Sequence, residues 1–408
     1  MKRRSSQKTS ENPLSKPSKK IQEETKESNS DQAWRDLGSV MFCNFSSSPS
    51  DKVLGFDMDT TLITTKSGKT FPTNSDDWKI LYPKIPEIVQ KYSNDGFRIV
   101  IFTNQKGIKE GHQDKTGMQG KIKNVVEALG VNALAMAAYG DDEFRKPCTG
   151  MWDYFTKNLN GGINVDFSVS KYIGDAAGRP ASGSRKKDFN DTDLKYALNI
   201  GIPFETPEKF FLGERENIPQ PGIDPRNIKK SGAALKGESD NSNIAKSNTE
   251  AIIFVGSPGS GKSTFWKNYL SNYTRVNNDT LKSKEKCLKT MRASLQNNKS
   301  CVIDNTNPTT IVRAEYIAVA KEFNIPVRCF IFRMPKDMAF HLDTLRRVNK
   351  HRNHLSGRVG SMPIHKFYKD FNEPNLKEGF EEIKEVELVG GPFDNADDEK
   401  LFYSFVYS

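Results

Sequence analysis

Short apolar runs alternate with amphipathic stretches in two separate parts of the chain. From Lys52 to about Leu212 the runs are VLGF, FRIVIF, ALAMAAY and VSKYIG, and between them lie stretches of helical period such as Pro83–Ser93 and Lys121–Leu129. Strands that alternate with helices predict a parallel α/β sheet. Beyond the stretch from about Glu214 to Thr249, the pattern resumes with AIIFV, a helix over Gly261–Leu270, and the strands CVID and VRCFIF. The second part is therefore α/β as well. Between the two, residues 214–249 are rich in Pro, Gly, Ser and Asn without sustained periodicity and read as a linker. The first thirty residues are polar and carry almost no large apolar side chain, so they cannot bury enough surface to offset the entropy of ordering. The expected division is a disordered tail over 1–36, a domain over 37–213, a linker over 214–249 and a domain over 250–408.

Totals narrow the partners. At 408 residues the chain is long enough for two or three cores. Its net charge of +10 favours an anionic partner such as nucleic acid. The cysteines Cys43, Cys148, Cys287, Cys301 and Cys329 are scattered and odd in number, which suggests neither a disulfide framework nor a zinc site and fits a reducing compartment. No apolar stretch approaches the roughly 20 residues of a membrane span, so a soluble intracellular protein is expected. Lys2-Arg3-Arg4 and the cluster from Lys16 to Lys20 suit a nuclear-import signal or an ordinary solvating tail.

The second domain opens with Gly256-Ser257-Pro258-Gly259-Ser260-Gly261-Lys262-Ser263, a complete G-x-x-x-x-G-K-[ST] motif between a strand and a helix, with Thr264 next in the same ATP-binding run. Glycines let backbone N–H groups converge on phosphate oxygens at a helix N-terminus. Lys262 is placed to reach the β- and γ-phosphates of ATP and Ser263 to ligate Mg²⁺. Asp279 follows a short strand and is either the base that takes a proton from a hydroxyl acceptor or a helix N-cap. Asp304, with Asn305 and Thr306, ends another strand in a Walker-B-like position or as a cap of the next helix. The basic stretch HLDTLRRVNKHRNH is either a lid, with Arg346 or Arg347 on the transferring phosphate, or a solvated face.

In the first domain LGFDMDTTL fits D-x-D-x-T after an apolar strand. One carboxylate there can attack phosphorus while its neighbour two residues on handles the proton. Thr103 and Asn104, Lys146, Asp175 and Asp188 follow at the ends of successive strand-like runs, where ligands of such sheets bind.

This series resembles the haloacid dehalogenase superfamily. The resemblance implies Asp57 as nucleophile forming an aspartyl-phosphate and Asp59 as general acid/base. It also implies Thr103 with the Asn104 amide on the phosphate, Lys146 neutralising charge, and Asp57, Asp59 and Asp175 on Mg²⁺ with Asp188 as a further ligand. Two departures stand out: Thr60 occupies a position where many relatives have Gly, and no second acid follows Asp175 by four or five residues.

Taken together, FDMDTTLI, FTNQKGI, KPCTGMWDY, YIGDAAGRPA, KKDFNDTD, GSPGSGKSTF, VNNDTL and DNTNP resemble, in that order, the eukaryotic polynucleotide kinase 3′-phosphatase family from about Phe42 onward. The implied fold is a haloacid dehalogenase-like Rossmannoid phosphatase followed by a P-loop kinase with a parallel sheet. The implied activity is removal of 3′-phosphates and ATP-dependent phosphorylation of 5′-hydroxyls at DNA strand breaks, in the nucleus. Asp279 is then the base and Arg346 the lid arginine, with Arg347 and Arg352 as close neighbours. Vertebrate relatives carry a forkhead-associated domain that docks repair scaffolds; the short polar tail is too apolar-poor to form one, and a monomer is expected. RNA end healing uses the same chemistry, and a non-catalytic nucleic-acid-binding scaffold is the reading from another class.

Overall fold

The computed structural model describes residues 33–183, 185–349 and 359–408. The basic clusters of the N-terminal tail, and Arg352, lie outside the described residues.

The first domain is built on a sheet of β1 (Arg35–Asp36), β2 (Val40–Phe45) and β3 (Val53–Phe56), joined, after a small hairpin of β4 (Ile63–Thr64) and β5 (Lys79–Ile80), by β6 (Arg98–Asn104), β7 (Ala133–Ala138), β8 (Lys171–Ile173) and β9 (Phe204–Glu205). The strand order is β1-β2-β7-β6-β3-β8-β9, parallel from β7 to β9 with β2 and β1 added antiparallel at one edge. The runs VLGF, ALAMAAY and VSKYIG contain or coincide with β3, β7 and β8, and FRIVIF overlaps β6, which runs two residues further. Alternate residues of each strand enter opposite cores, as the two-residue period requires. Leu54, Phe56, Ile99 and Ile101 pack with Val89 and Val125 from helices Ile85–Asn94 and Lys115–Leu129. Val53, Val100 and Phe102 pack on the other face with Trp152, Phe155, Tyr196 and Ala197. Helices on both faces are what make the central runs of these strands, such as Ile99–Phe102 and Ala133–Ala138, apolar.

The second domain repeats this logic with β10 (Ala251–Gly256), β11 (Thr274–Val276), β12 (Cys301–Ile303), β13 (Val327–Phe332) and β14 (Glu382–Glu385). All are parallel in the order β11-β12-β10-β13-β14. Ile253, Val255, Ile303 and Ile331 face one core, whereas Ile252, Phe254, Val302 and Phe330 face another with Phe265 and Leu270.

Residues 214–249, expected as a linker, are partly built into the second domain. Ala234, Leu235 and Ile244 are buried with Phe254 and Phe330, and Lys229 and Leu235 form bridges with Val389 and Val386. Their apolar side chains are too few and too irregularly spaced to leave a period, so only tertiary packing reveals them. The segment is pinned by Arg328, which is 1% exposed and donates through Nε and Nη2 to the two oxygens of Glu250, both at 2.6 Å. The same guanidinium donates to the carbonyls of Asn243 (3.1 Å) and Ile244 (2.7 Å). A buried carboxylate beside a fully hydrogen-bonded guanidinium is tolerable; alone it is not.

The two domains touch through the last residues of the chain. Phe405 N donates to Asn199 Oδ1 (2.8 Å), Asn199 Nδ2 to Phe405 O (2.7 Å), and Lys195 Nζ to Tyr407 O (2.8 Å). Arg347 pairs with Asp141 of the first domain at 2.9 Å.

Replacing Arg328 with Met strands the Glu250 charge. The unfolding free energy of the second domain, measured by urea denaturation, should fall by about 3–5 kcal/mol. A second change, Glu250→Gln, should recover part of that loss.

Candidate active sites

Both sites sit beyond the carboxyl ends of parallel strands, where the β–α turns leave backbone and side-chain groups free to converge. In the first domain β3 delivers Asp57, whose backbone N–H is tied to Ile173 O of β8 at 2.9 Å. β6 delivers Thr103, the segment after β7 delivers Lys146, and β8 leads into Asp175. Lys146 is the hub. Its buried ammonium donates to Asp57 Oδ1 (2.8 Å), Asp193 Oδ1 (2.7 Å) and the Tyr172 hydroxyl (2.7 Å).

Burial pushes the Asp57 carboxyl up to about 7; Lys146 opposes that rise, and Asp193 and Asp59 reinforce it. Asp175 is driven well above the carboxylate range by burial and by the charges of Asp193 and Asp57. Burial alone would lower the Lys146 pKa, but the Asp193 and Asp57 carboxylates outweigh it and the net direction is upward. Asp57, Asp175 and Asp193 bring ligand oxygens within 4.8 Å of one another. Three carboxylates against one ammonium is a donor set that fits a hard divalent cation.

Asp193 was missed by the sequence reading, which expected Asp188 as the further metal ligand. Asp188 is instead consumed by arginines: Arg179 Nε donates to it at 2.8 Å and Arg185 Nη1 at 3.0 Å. It stitches the 176–190 loop and takes no part in the acidic cluster. Asp193 lies in the first turn of helix Thr192–Ile200 and reaches the cluster because residue 174 is glycine; a Cβ there would stand 2.5 Å from its side chain. The signal was present in KKDFNDTD, an acid at the start of a helix after the glycine-rich loop.

Asp59 also departs from expectation as a side-chain metal ligand. Its carboxylate points to Lys121 Nζ (2.8 Å) and Gln105 Nε2 (2.8 Å), and it is 44% exposed at the mouth of the site. That position suits a group that exchanges protons with a leaving oxygen or water. Gln105 also donates to Thr103 Oγ1 at 2.8 Å. The Asn104 side chain clasps the Lys146 backbone, accepting from its N–H (3.0 Å) and donating to its carbonyl (3.1 Å), so it positions the lysine. Thr60 has φ +63, the left-handed conformation that glycine adopts most easily, which fits the glycine expected at this position from the superfamily resemblance.

In the second domain the loop from Gly256 to Ser263 links β10 to helix Lys262–Tyr269, with Gly259 at φ +86 and Gly261 at φ +87. Ser257 and Ser260 are buried in it, and Pro258 and Thr264 lie on it. Lys262 Nζ donates to the carbonyls of Gly256 (2.9 Å) and Ser257 (2.7 Å). Burial lowers its pKa to about 8, against Asp304 and Asp279 and with Arg346. Asp279 and Arg346 therefore both lie within electrostatic reach of the loop lysine. Arg347 turns the other way, to Asp141.

The capping alternatives resolve clearly. Asn277 caps the short helix Asn278–Leu281 by accepting from Thr280 N, which leaves the exposed Asp279 free of that duty. Thr309 caps helix Thr310–Glu322, and Asp304 instead accepts from Ser263 Oγ at 2.8 Å. Its other oxygen, Oδ1, is buried without a hydrogen-bond partner among the described residues. An orphaned carboxylate oxygen beside the loop serine is what a phosphate-bound cation would complete. Asn305 Oδ1 accepts from Asn278 N (2.8 Å) and Thr306 O from Gly256 N (3.2 Å), clipping the three loops together.

Residues 52–211 match the family model "Polynucleotide kinase 3 phosphatase" and residues 252–358 the model "AAA domain". A polynucleotide 3′-phosphatase of Saccharomyces cerevisiae is 27% identical over 40% of this chain and 87% of its own length. One of Arabidopsis thaliana is 34% identical over 44% of this chain and 27% of its own. The bifunctional polynucleotide phosphatase/kinase of Schizosaccharomyces pombe is 39% identical across 82% of this chain and 79% of its own. That match covers more of the chain than either domain holds, and the chain belongs to the bifunctional polynucleotide phosphatase/kinase family.

Proposed function

We propose that this chain heals polynucleotide ends, removing a 3′-phosphate in the first domain and phosphorylating a 5′-hydroxyl from ATP in the second. DNA strand breaks in the nucleus are the setting we assign to it, and the net charge of +10 supports a polyanionic partner. The observation that carries the reading is the Lys146 ammonium held between Asp57 and Asp193, which presents one oxygen of Asp57 already fixed beside a cationic hub.

In the first site Asp57 attacks phosphorus, the bond from phosphorus to the 3′-oxygen breaks, and Asp59 gives that oxygen its proton. Asp59 then takes a proton from the water that attacks the aspartyl-phosphate, which frees Asp57 and inorganic phosphate. Asp57, Asp175 and Asp193 would hold Mg²⁺, which supplies the positive charge that lets two anions meet. Thr103 and Lys146 border the phosphate.

In the second site Asp279 takes the proton of the 5′-hydroxyl, its oxygen attacks the γ-phosphorus, and the β–γ bridging bond breaks to release ADP. Lys262 and Arg346 face the charge that develops, and Ser263 with Asp304 would hold the Mg²⁺ of the ATP complex.

Asp57→Asn should lower 3′-phosphate removal at least about a thousandfold and leave 5′-phosphorylation intact, and Lys262→Ala should do the reverse. End-labelled DNA and RNA oligonucleotides assayed side by side check this and rank the two substrates. Loss of both activities in either variant would contradict two independent sites.

The acid cluster also makes a stability forecast. A carboxyl whose native pKa lies near 7, above its unfolded value, binds a proton more tightly in the native state. Its contribution is full below about pH 4 and is lost as pH rises through about 7. In chelator, Asp57→Asn should therefore melt higher than the unsubstituted chain at pH 8 and lose that advantage at pH 4. Added Mg²⁺ should stabilise the unsubstituted chain at pH 8 more than the variant. Calorimetry at the two pH values reads both effects.

A further inference from the structure

A cation already stands where the second site gathers its acceptors. Arg275, on β11, lays its guanidinium 5.0 Å from the centroid of the Trp266 ring and reaches two side chains at once. Its Nη2 lies 2.6 Å from Asp304 Oδ2 and 2.9 Å from Ser263 Oγ, and its Nε donates to Asp304 Oδ2 at 2.8 Å. Ser263 Oγ donates to that same oxygen at 2.8 Å, so serine, aspartate and arginine form one closed knot. The Asp304 side chain is 1% exposed while that of Arg275 is 29% exposed, so the acid is fixed and the arginine has solvent to move into.

A divalent metal seated on Ser263 Oγ and the unpartnered Asp304 Oδ1 would stand beside the guanidinium that already holds Ser263 Oγ and Asp304 Oδ2, so two like charges compete for one serine and one carboxylate. A carboxylate this deeply buried, in turn, needs one positive partner at all times. The long arginine stem lets the charged head leave without moving the strand, and the Trp266 face offers it a resting platform.

We propose that Arg275 is a positioning residue of the kinase site, one that holds Ser263 and Asp304 in register and gives them up to the metal of an incoming nucleotide complex. Metal affinity at this site is then set by competition with the guanidinium. The proposal rests on the reading of the second domain as a metal- and nucleotide-binding kinase. The apparent affinity equals the intrinsic one scaled by the fraction of molecules in which the arginine has swung away.

Arg275→Gln and Arg275→Lys in the whole chain test this by calorimetric titration of ADP at stepped Mg²⁺ concentrations and by tryptophan emission. Arg275→Gln should reach half-maximal ADP binding at a Mg²⁺ concentration about fivefold or more lower than the unsubstituted chain, with Arg275→Lys between them. Mg²⁺ and ADP should change the emission of the unsubstituted chain, and the change should vanish in Trp266→Phe and in Arg275→Gln. The Mg²⁺ dependence of 3′-phosphate removal should be the same in all variants. Unchanged or weaker metal dependence in folded Arg275→Gln overturns the proposal, and if that variant does not fold, an unshifted Arg275→Lys does so. Failure of every protein to bind ADP overturns the kinase reading as well, whereas ADP binding with an unmoved metal requirement overturns only the role of Arg275.

Discussion

The first domain depends on one buried ammonium. Lys146 is surrounded by Asp57, Asp193 and Tyr172, all within 2.8 Å. The lysine and the acids each lower the cost of burying the other, with Asp193 the larger influence on Lys146. That mutual stabilisation fixes the segment after β7 against the segment after β3 and against helix Thr192–Ile200, three pieces of chain far apart in sequence. Asn104 adds a second grip on the same lysine through its backbone, so the charge cannot drift from the nucleophile.

The second domain answers a similar problem without an acid cluster. Its phosphate loop carries its own lysine folded back onto loop carbonyls, and the buried acid beside that loop, Asp304, is met by a serine and an arginine. In both domains a parallel sheet brings loops from distant positions to one edge, and hydrogen bonds between those loops hold the charged groups in place. The chemistry differs because the loops differ.

Much of this was legible in the sequence for a plain reason. Strands covered on both faces must be apolar throughout, so VLGF, FRIVIF, AIIFV and VRCFIF announce themselves, and the polar residues that interrupt them mark the functional edge. Asp57, Lys146, Asp175 and Asp304 were found that way, and Lys262 by the spacing of its glycine-rich loop. Asp193 was not, because a long loop separates it from the strand it serves and a nearer acid, Asp188, competed for the role. Arg275 and Gln105 escaped for a related cause: each acts by touching a residue distant in sequence or by bridging two others, which no local spacing encodes. The buried role of Ala234, Leu235 and Ile244 was equally invisible, since isolated apolar residues amid Gly and Ser leave no period.

Helix Thr192–Ile200 has two obligations. One end supplies Asp193 to the acid cluster, and along its length Lys195 and Asn199 are occupied by backbone groups of residues 405–407. The chain therefore closes into a loop: its final stretch, which belongs by sequence to the kinase half, serves as a wall of the phosphatase half. An excised first domain would carry polar side chains shaped for carbonyls that had been left behind. A cut that leaves every kinase loop untouched would therefore still bare one face of helix Thr192–Ile200.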